Sequence, residues 1–223
     1  MKTRKAIVFG GSSGIGEASA RALLVKGRAV TITGRDEAKL AKAAQRLSAH
    51  GGVRAVVADA LDHTAVEQAF EVSGPVNDVV ICVSGGKGAG LFRELDLNDL
   101  HGAFEQKTMA QLTVAQVAAR RLGDDGSITF VTAASARSVI RGTAGLAAVN
   151  GALEALIPIL ALELAPIRVN AVSPGIIHTP WWDGMPPAAR DVCKLYCWLT
   201  VTEVDAVQVA APIATQEEDP GMK

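Results

Sequence analysis

Short apolar runs alternate with longer amphipathic segments along most of the chain. The runs are rich in β-branched residues and predict buried strands, whereas the segments carry apolar residues at helical spacing. The predicted strands are 6–9, 28–33, 53–58, 78–83, 127–132 and 167–172, and the predicted helices are 17–26, 36–50, 63–72, 98–122 (with Asn98 as N-cap) and 146–164. This alternation predicts an α/β fold with one parallel, doubly wound sheet flanked by helices.

The first strand runs directly into a glycine-rich turn. Residues 6–16 read AIVFGGSSGIG, so glycines stand at 10, 11, 14 and 16, and a helical segment follows at once. A glycine turn between a strand and a helix lets a phosphate approach the backbone, and the free amides of the first helical turn can bind it. The stretch therefore predicts a dinucleotide site, with a structural turn that binds no ligand as the alternative.

The end of the second strand bears on which dinucleotide binds. Sites that prefer NAD place a carboxylate there for the ribose 2′-hydroxyl, but this chain has Gly34 followed by Arg35. A guanidinium can bind a 2′-phosphate through a planar fork, and Ser12 and Ser13 can add donors. The pattern favours NADP over NAD; the alternative is that Arg35 is simply solvated.

Two further strand ends carry candidate ligand contacts. Asp59, followed by Ala60, ends the third strand, where its carboxylate could accept from an adenine amino group or could cap the turn. The fourth strand opens into a second glycine cluster that begins with Ser84 and Gly85. Open α/β sheets bind ligands at the carboxyl ends of central strands, so both segments are expected to line the site.

Composition narrows the functional class. The formal net charge is −1, which gives no electrostatic reason to expect nucleic acid or a membrane surface as a partner. No run is expected to approach the length of a membrane span. Three cysteines do not make a disulfide framework and suit a reducing cytoplasm, and Cys193 and Cys197 favour packing over metal binding. The length predicts one domain over 1–223.

These features together resemble the short-chain dehydrogenase/reductase family. The resemblance covers roughly residues 5–185 and rests on the glycine turn, on Asp59, on the segment 145–172 and on the run RVNAVSPG at 168–175. It implies a Rossmann fold, hydride transfer between NADP or NAD and a small carbonyl or alcohol, and a homodimer or homotetramer. It also implies that the segment after Pro174 closes over the nicotinamide, with Thr179 holding the carboxamide. The predicted cofactor-binding residues are Gly10, Ser12, Ser13, Gly14, Ile15, Gly16, Arg35, Asp59, Ala60, Ser84, Gly85, Lys107, Asn150, Pro174, Gly175, Ile177 and Thr179.

The chain departs from the family at the catalytic positions. Members carry Tyr-x-x-x-Lys on the helix after the fifth strand and a serine thirteen residues before the tyrosine. Aligning residues 150–154 with the usual Lys-Ala-Ala-Leu-Glu puts Leu146 at the tyrosine, Asn150 at the lysine and Ala133 at the serine. Leucine cannot donate a proton, so the usual acid route is closed.

Lys107 is the candidate for a replacement proton donor. The family places an asparagine midway along the preceding helix, and this position matches Lys107 here. The hypothesis is that Lys107 points into the site and supplies a charge or a proton there, helped by Thr132, Ser135 or His178. The alternatives are a Lys107 that extends to solvent and a solvent-facing loop histidine at 178.

The sequence thus predicts an NADP-dependent oxidoreductase with a non-standard proton donor. A catalytically inactive NADP-binding sensor or partner subunit is the alternative. The little-charged helix at 146–164 favours contact with another subunit. Residues 191–223 diverge from the family, and the last edge strand of the sheet is expected to be missing or altered.

Overall fold

The protein is described by a computed structural model that covers residues 3–175. Within these residues six parallel strands form one sheet in the order β3-β2-β1-β4-β5-β6. The strands are β1 (Lys5–Phe9), β2 (Ala29–Gly34), β3 (Val53–Val57), β4 (Asp78–Ile81), β5 (Ser127–Val131) and β6 (Arg168–Val172). The helices are α1 (Gly14–Val25), α2 (Glu37–Leu47), α3 (His63–Ser73), α4 (Leu97–Ala103), α5 (Ala110–Arg121) and α6 (Ala144–Glu163). The predicted Rossmann-type fold class is confirmed.

The strand order reverses beside β1. This strand pairs with β2 on one side and with β4 on the other, as in Val8 with Ile32 and with Val80. The connection after β1 therefore runs to one side of this strand and the connection from β3 to β4 returns to the other, which opens a crevice at the carboxyl end of β1, where ligands bind in sheets of this kind. The glycine turn lies at that end.

Side chains of β1 alternate between two apolar layers. Ile7 and Phe9 pack with residues of α3, α5 and α6 on one face, whereas Ala6 and Val8 pack with α1 and α2 on the other. Both faces of a parallel sheet are covered in this way, which explains why the central strands read as continuous apolar runs.

The amino ends of the strands carry a closed polar network around Asp78. This carboxylate is 5% exposed and accepts from the Ser127 hydroxyl at 2.7 Å, from Arg4 at 3.4 and 3.5 Å, and from Arg28 in a closer contact. Arg4 also pairs with the exposed Asp125 at 2.8 Å. The network joins the residue before β1 to the amino ends of β2, β4 and β5.

The long helix predicted over 98–122 differs in two ways. Its N-cap lies two residues earlier than expected, because Asp96 rather than Asn98 caps the helix and accepts from the Asn98 amide at 2.8 Å. It is also interrupted by a π-helical turn over Phe104–Met109, between α4 and α5. Such wide turns are rare and are frequent at functional sites.

Helix α6 corrects the expectation that no run approaches the length of a membrane span. Ala144–Glu163 is 20 residues long with a mean hydropathy of 1.8, which is long and apolar enough to cross a membrane by length and composition alone. In the described part of the chain it packs along β6 and contacts the π-helical turn. Much of its apolar surface stays exposed, with Leu162 81% and Ile159 51% accessible.

Helix α1 starts at Gly14, three residues before the predicted start at Glu17. Glycines have low helix propensity, so the apolar periodicity alone did not extend the helix into the turn. The first turn of α1, with its unbonded amides, therefore belongs to the glycine segment itself.

Candidate active site

The glycine turn has no room for a side chain at two of its glycines, Gly10 and Gly16. Gly10 has a φ of +81°, and a Cβ there would lie 2.9 Å from the carbonyl carbon of Cys82. A Cβ on Gly16 would lie 2.1 Å from the carbonyl oxygen of Gly10. The amides of Gly10 and Gly11 both donate to the Thr33 carbonyl, at 3.1 and 2.9 Å. The turn is therefore fastened to β2.

The start of α1 offers donors to an anion. Ser13 is the N-cap residue, and its side chain does not cap the helix. The amides of Gly14, Ile15 and Gly16 lie in the first turn, where an α-helix has no acceptor of its own for them. Free amides, the positive end of the helix and the absence of side chains at Gly14 and Gly16 fit a dinucleotide pyrophosphate.

A cleft of about 430 Å³ extends from this turn along the carboxyl ends of the sheet. Its walls come from every central strand end and from the helix that carries the π-helical turn. The predicted residues in the lining are Gly10, Ser12, Ser13, Gly14, Ile15, Gly16, Arg35, Asp59, Ala60, Ser84, Lys107, Thr132, Pro174 and Gly175.

One end of the cleft lies at the tip of β2. Arg35 and Lys39 are exposed there, and Asp36 caps α2 by accepting from the Lys39 amide at 2.9 Å. That backbone hydrogen bond, stronger than the opposing effect of burial, lowers the pKa of Asp36. A Cβ on Gly34 would lie 3.2 Å from the Ser12 hydroxyl oxygen. Ser12 and Arg35 thus border the same end of the cleft.

Asp59 makes a local turn contact. One oxygen of its carboxylate accepts from the Leu61 amide at 3.0 Å, and both Asp59 and Ala60 line the cleft. A carboxylate has further lone pairs, so this contact leaves room for an acceptor role toward a bound nucleotide.

Lys107 lies inside the protein at the inner part of the cleft. The π-helical turn carries it, it is 9% exposed, and its ammonium donates to the Thr132 carbonyl at 3.2 Å. Burial lowers the pKa of Lys107 to about 8, against the opposing effects of Cys82 and Glu154. The side chain does not extend to solvent. A buried ammonium with a pKa near neutrality can donate a proton and recover it from water.

Two buried amide side chains near Lys107 have an oxygen without a partner among residues 3–175. Gln111 donates to the carbonyls of Val83 and Val131 at 3.0 Å each, and its Oε1 is unpaired. Asn150 donates to the Leu146 carbonyl at 2.9 Å and to the Ser135 hydroxyl at 3.2 Å, and its Oδ1 is unpaired. Unpaired buried acceptors are costly, so they cluster where a site serves something other than stability.

Comparison with known proteins agrees with this geometry. The family model described as enoyl-(acyl carrier protein) reductase matches residues 10–211. A short-chain dehydrogenase/reductase of Stachybotrys chlorohalonatus, ATR9, is 31% identical over 198 residues, which is 83% of this chain and 78% of that protein. The L-xylulose reductase of Bos taurus is 32% identical over 184 residues, 79% of this chain and 73% of the enzyme.

The chain belongs to the short-chain dehydrogenase/reductase family.

Solved structures of this family superpose on it over most of its length. A small-chain dehydrogenase in complex with NADPH is 31% identical, with a TM-score of 0.68 over 86% of this chain and 78% of that one. A xylitol dehydrogenase with bound NAD⁺ has a TM-score of 0.75 over 78% of this chain and 71% of its own, and at 22% identity it shows the fold alone. The family's fold binds nicotinamide dinucleotides.

Some predicted site residues of this family member lie off the cleft. Asn150 and Ser135 contact each other beside it, and Gly85 lies behind Gln106, whose Oε1 would be 2.3 Å from a Cβ on Gly85. The Thr132 hydroxyl contacts Glu154 at 3.0 Å, while its carbonyl accepts from Lys107. Ile177, His178 and Thr179 lie outside the described residues.

Sequence reasoning missed three polar residues that the structure brings to this region. Gln106 lines the cleft, Gln111 lies between the ends of β4 and β5, and Glu154 faces the residues that follow β5 and β6. For Glu154 a signal was present, because Ala144–Leu162 carries no other charged residue. For the two glutamines the signal was hidden, because the π-helical turn changes which residues face inward.

Proposed function

We propose that this chain is an NADP(H)-dependent oxidoreductase that interconverts a small carbonyl compound and its alcohol. The observation that carries the proposal is Lys107, an ammonium buried at the inner part of a cleft whose outer part fits a dinucleotide. A bound nicotinamide would supply or accept the hydride. The protein's part is to bind that cofactor, exclude water and handle the proton on the substrate oxygen.

Lys107 takes the acid role in this proposal. Its ammonium is held by the Thr132 carbonyl, a neutral acceptor, so its charge remains available to polarise a substrate oxygen. In the reduction direction the ammonium donates its proton to that oxygen, and the neutral amine is reprotonated by water. A pKa of about 8 keeps the group mostly protonated at neutral pH while keeping proton release favourable.

NADP is favoured over NAD by the tip of β2. Gly34 presents no carboxylate that would repel a 2′-phosphate, and Arg35 makes no hydrogen bond or ion pair with another described residue. The guanidinium at the cleft edge is therefore free to bind a phosphate, with Ser12 as a neighbouring donor.

Binding calorimetry with NADPH and NADH tests the cofactor. Arg35→Gln is expected to weaken NADPH binding about tenfold or more and to leave NADH binding unchanged, because it removes one charge-assisted contact to the phosphate. Arg120→Gln, at an exposed position at the end of α5, is the matched control. Equal affinity of the parent protein for both dinucleotides would contradict NADP specificity.

Oxidation of NADPH with a panel of small aldehydes, ketones and quinones tests turnover. Lys107→Met is expected to reduce kcat at least about a hundredfold, since general acid catalysis contributes that much. The second candidate is a cofactor-binding sensor or partner subunit without turnover. It is favoured by Leu146 and by Asn150, whose amide faces the helix backbone and Ser135. NADPH binding without oxidation across the panel would support it.

A homodimer or homotetramer completes the proposal. Exposed apolar residues of α6, Ile159 and Leu162, leave a surface that a second copy of the chain would cover. Sedimentation equilibrium of the whole protein tests this, and a monomer at micromolar concentration would contradict it.

A further inference from the structure

Glu154 is a largely buried charge in the middle of α6, whose other charged residue is Glu163 at its end. It lies one helical turn after Asn150 on α6, and its side chain is only 10% exposed. A carboxylate loses much hydration when it is buried, so such a group needs several donors. The donors it has come from three different parts of the fold.

Each donor belongs to a segment at the carboxyl end of the sheet. The Thr132 hydroxyl, directly after β5, donates to Glu154 at 3.0 Å, and the Ser173 hydroxyl, directly after β6, donates at 2.7 Å. Arg137, 78% exposed, donates to the second oxygen at 2.8 Å. Burial raises the pKa of Glu154, but these hydrogen bonds outweigh it and lower the pKa below its ordinary value. The carboxylate is therefore ionised at neutral pH.

The same contacts lead to the cleft. Thr132 contacts Glu154 through its hydroxyl and Lys107 through its carbonyl, so one residue joins the carboxylate to the ammonium. Ser173 precedes Pro174 and Gly175, which line the cleft. Glu154 thus fixes two of the walls between which Lys107 lies.

Glu154 is also the charge that acts on Lys107. Among the described residues, the ionisable groups that raise the pKa of Lys107 are Cys82 and Glu154. Burial raises the pKa of the Cys82 thiol to about 12, so Cys82 is neutral where enzymes work. Within residues 3–175, Glu154 is therefore the group that supplies negative charge to Lys107, and Arg137 offsets part of that charge from the solvent side.

We infer that Glu154 is the positioning residue of this site: it holds Thr132 and Ser173 in place and keeps Lys107 in its cationic form. The consequence for catalysis rests on the proposed function of Lys107 as proton donor. The structural and electrostatic part does not, because it concerns groups that are present without cofactor or substrate.

The test is an NMR titration of the cofactor-free protein labelled with ¹³C at the lysine ε carbons. The Lys107 resonance is assigned by its absence in Lys107→Met. In the parent protein its midpoint is expected near pH 8. Glu154→Gln keeps a hydrogen-bond acceptor but removes the charge, so the midpoint is expected to fall by about half a pH unit or more.

Two further variants distinguish an electrostatic effect on Lys107 from a folding defect. Arg137→Gln removes a positive charge from an exposed side chain, so the Lys107 midpoint is expected to rise, opposite in sign to Glu154→Gln. Glu163→Gln removes an exposed carboxylate from the end of the same helix and is expected to leave the midpoint unchanged. A Lys107 midpoint that is the same in the parent, Glu154→Gln and Arg137→Gln proteins overturns the inference.

The pH profile of kcat separates this inference from the proposed function. If both hold, the alkaline limb of the profile, where Lys107 loses its proton, lies near pH 8 and shifts to lower pH in Glu154→Gln. If Glu154→Gln shifts the NMR midpoint of Lys107, but neither Glu154→Gln nor Lys107→Met changes turnover, Glu154 controls the protonation of Lys107 and the proposed acid role fails. If Lys107→Met abolishes turnover while Glu154→Gln leaves the NMR midpoint of Lys107 unchanged, the proposed function stands and this inference fails.

Discussion

Buried charged side chains have different partners at the two ends of the sheet. At the amino ends Asp78 is met by two guanidinium groups and a hydroxyl. At the carboxyl ends, within residues 3–175, Lys107 has only a neutral carbonyl as its hydrogen-bond acceptor, and the amide oxygens of Gln111 and Asn150 are unpaired.

This difference separates a part of the molecule that stabilises the fold from a part that is kept reactive. Close opposite charges hold the strands together, whereas a buried charge whose hydrogen-bond acceptor is a neutral carbonyl keeps a perturbed pKa and remains available to a substrate. Removing the charge of Asp78 is therefore expected to lower the free energy of unfolding, and removing the charge of Lys107 is expected to raise it.

The largest effect is expected at Asp78. Asp78→Asn removes the charge that Arg4 and Arg28 share, so the free energy of unfolding should fall by about 3 kcal/mol in urea titrations. Asp125→Asn, at a side chain 65% exposed, is the control and should cost far less. A loss at Asp78 no greater than that at Asp125 would remove the contrast between the two ends.

A smaller effect of opposite sign is expected at Lys107. Lys107→Met should raise the free energy of unfolding at pH 7 by about 2 kcal/mol, because it removes an incompletely paired buried charge. Burial lowers the folded pKa to about 8, below the ordinary 10.5 of the unfolded chain. The unfolded state therefore binds more protons between pH 8 and 10.5, and the stability of the parent protein rises with pH across that window.

The Met variant lacks this pH-dependent rise, so its advantage over the parent should shrink as pH increases from 8 to 10.5. Urea titrations at several pH values check this. The exposed Lys42→Met serves as the control and should show no such trend. An advantage that is constant with pH would mean that folding does not lower the pKa of Lys107.

The smallest effect is expected at Gln111. In Gln111→Met two hydrogen bonds to strand carbonyls are lost, but an unpaired buried oxygen is removed as well, so stability should change by less than about 1 kcal/mol. Gln116→Met, at an exposed position of the same helix, gives the propensity baseline. A loss as large as that of Asp78→Asn would show that the Gln111 oxygen has a partner in solution.

The sequence predicted the sheet and the outer part of the cleft because both depend on local patterns. Apolar runs marked every strand to within two residues at each end, and the glycine spacing marked the turn after β1. The inner part depends on contacts between distant segments. Nothing local to Glu154 shows that hydroxyls from 132 and 173 will reach it, and helical periodicity cannot anticipate a π-helical turn.

The π-helical turn places two adjacent side chains in the interior of the protein. Lys107 and Thr108 are neighbours in sequence, and in an ordinary helix they would diverge by about 100°. Both are buried here, one donating to Thr132 and the other to the Val149 carbonyl. A π-helical turn has more residues per turn than an α-helix, so adjacent residues diverge less and both side chains reach the interior, while α4 and α5 keep their regular geometry on either side.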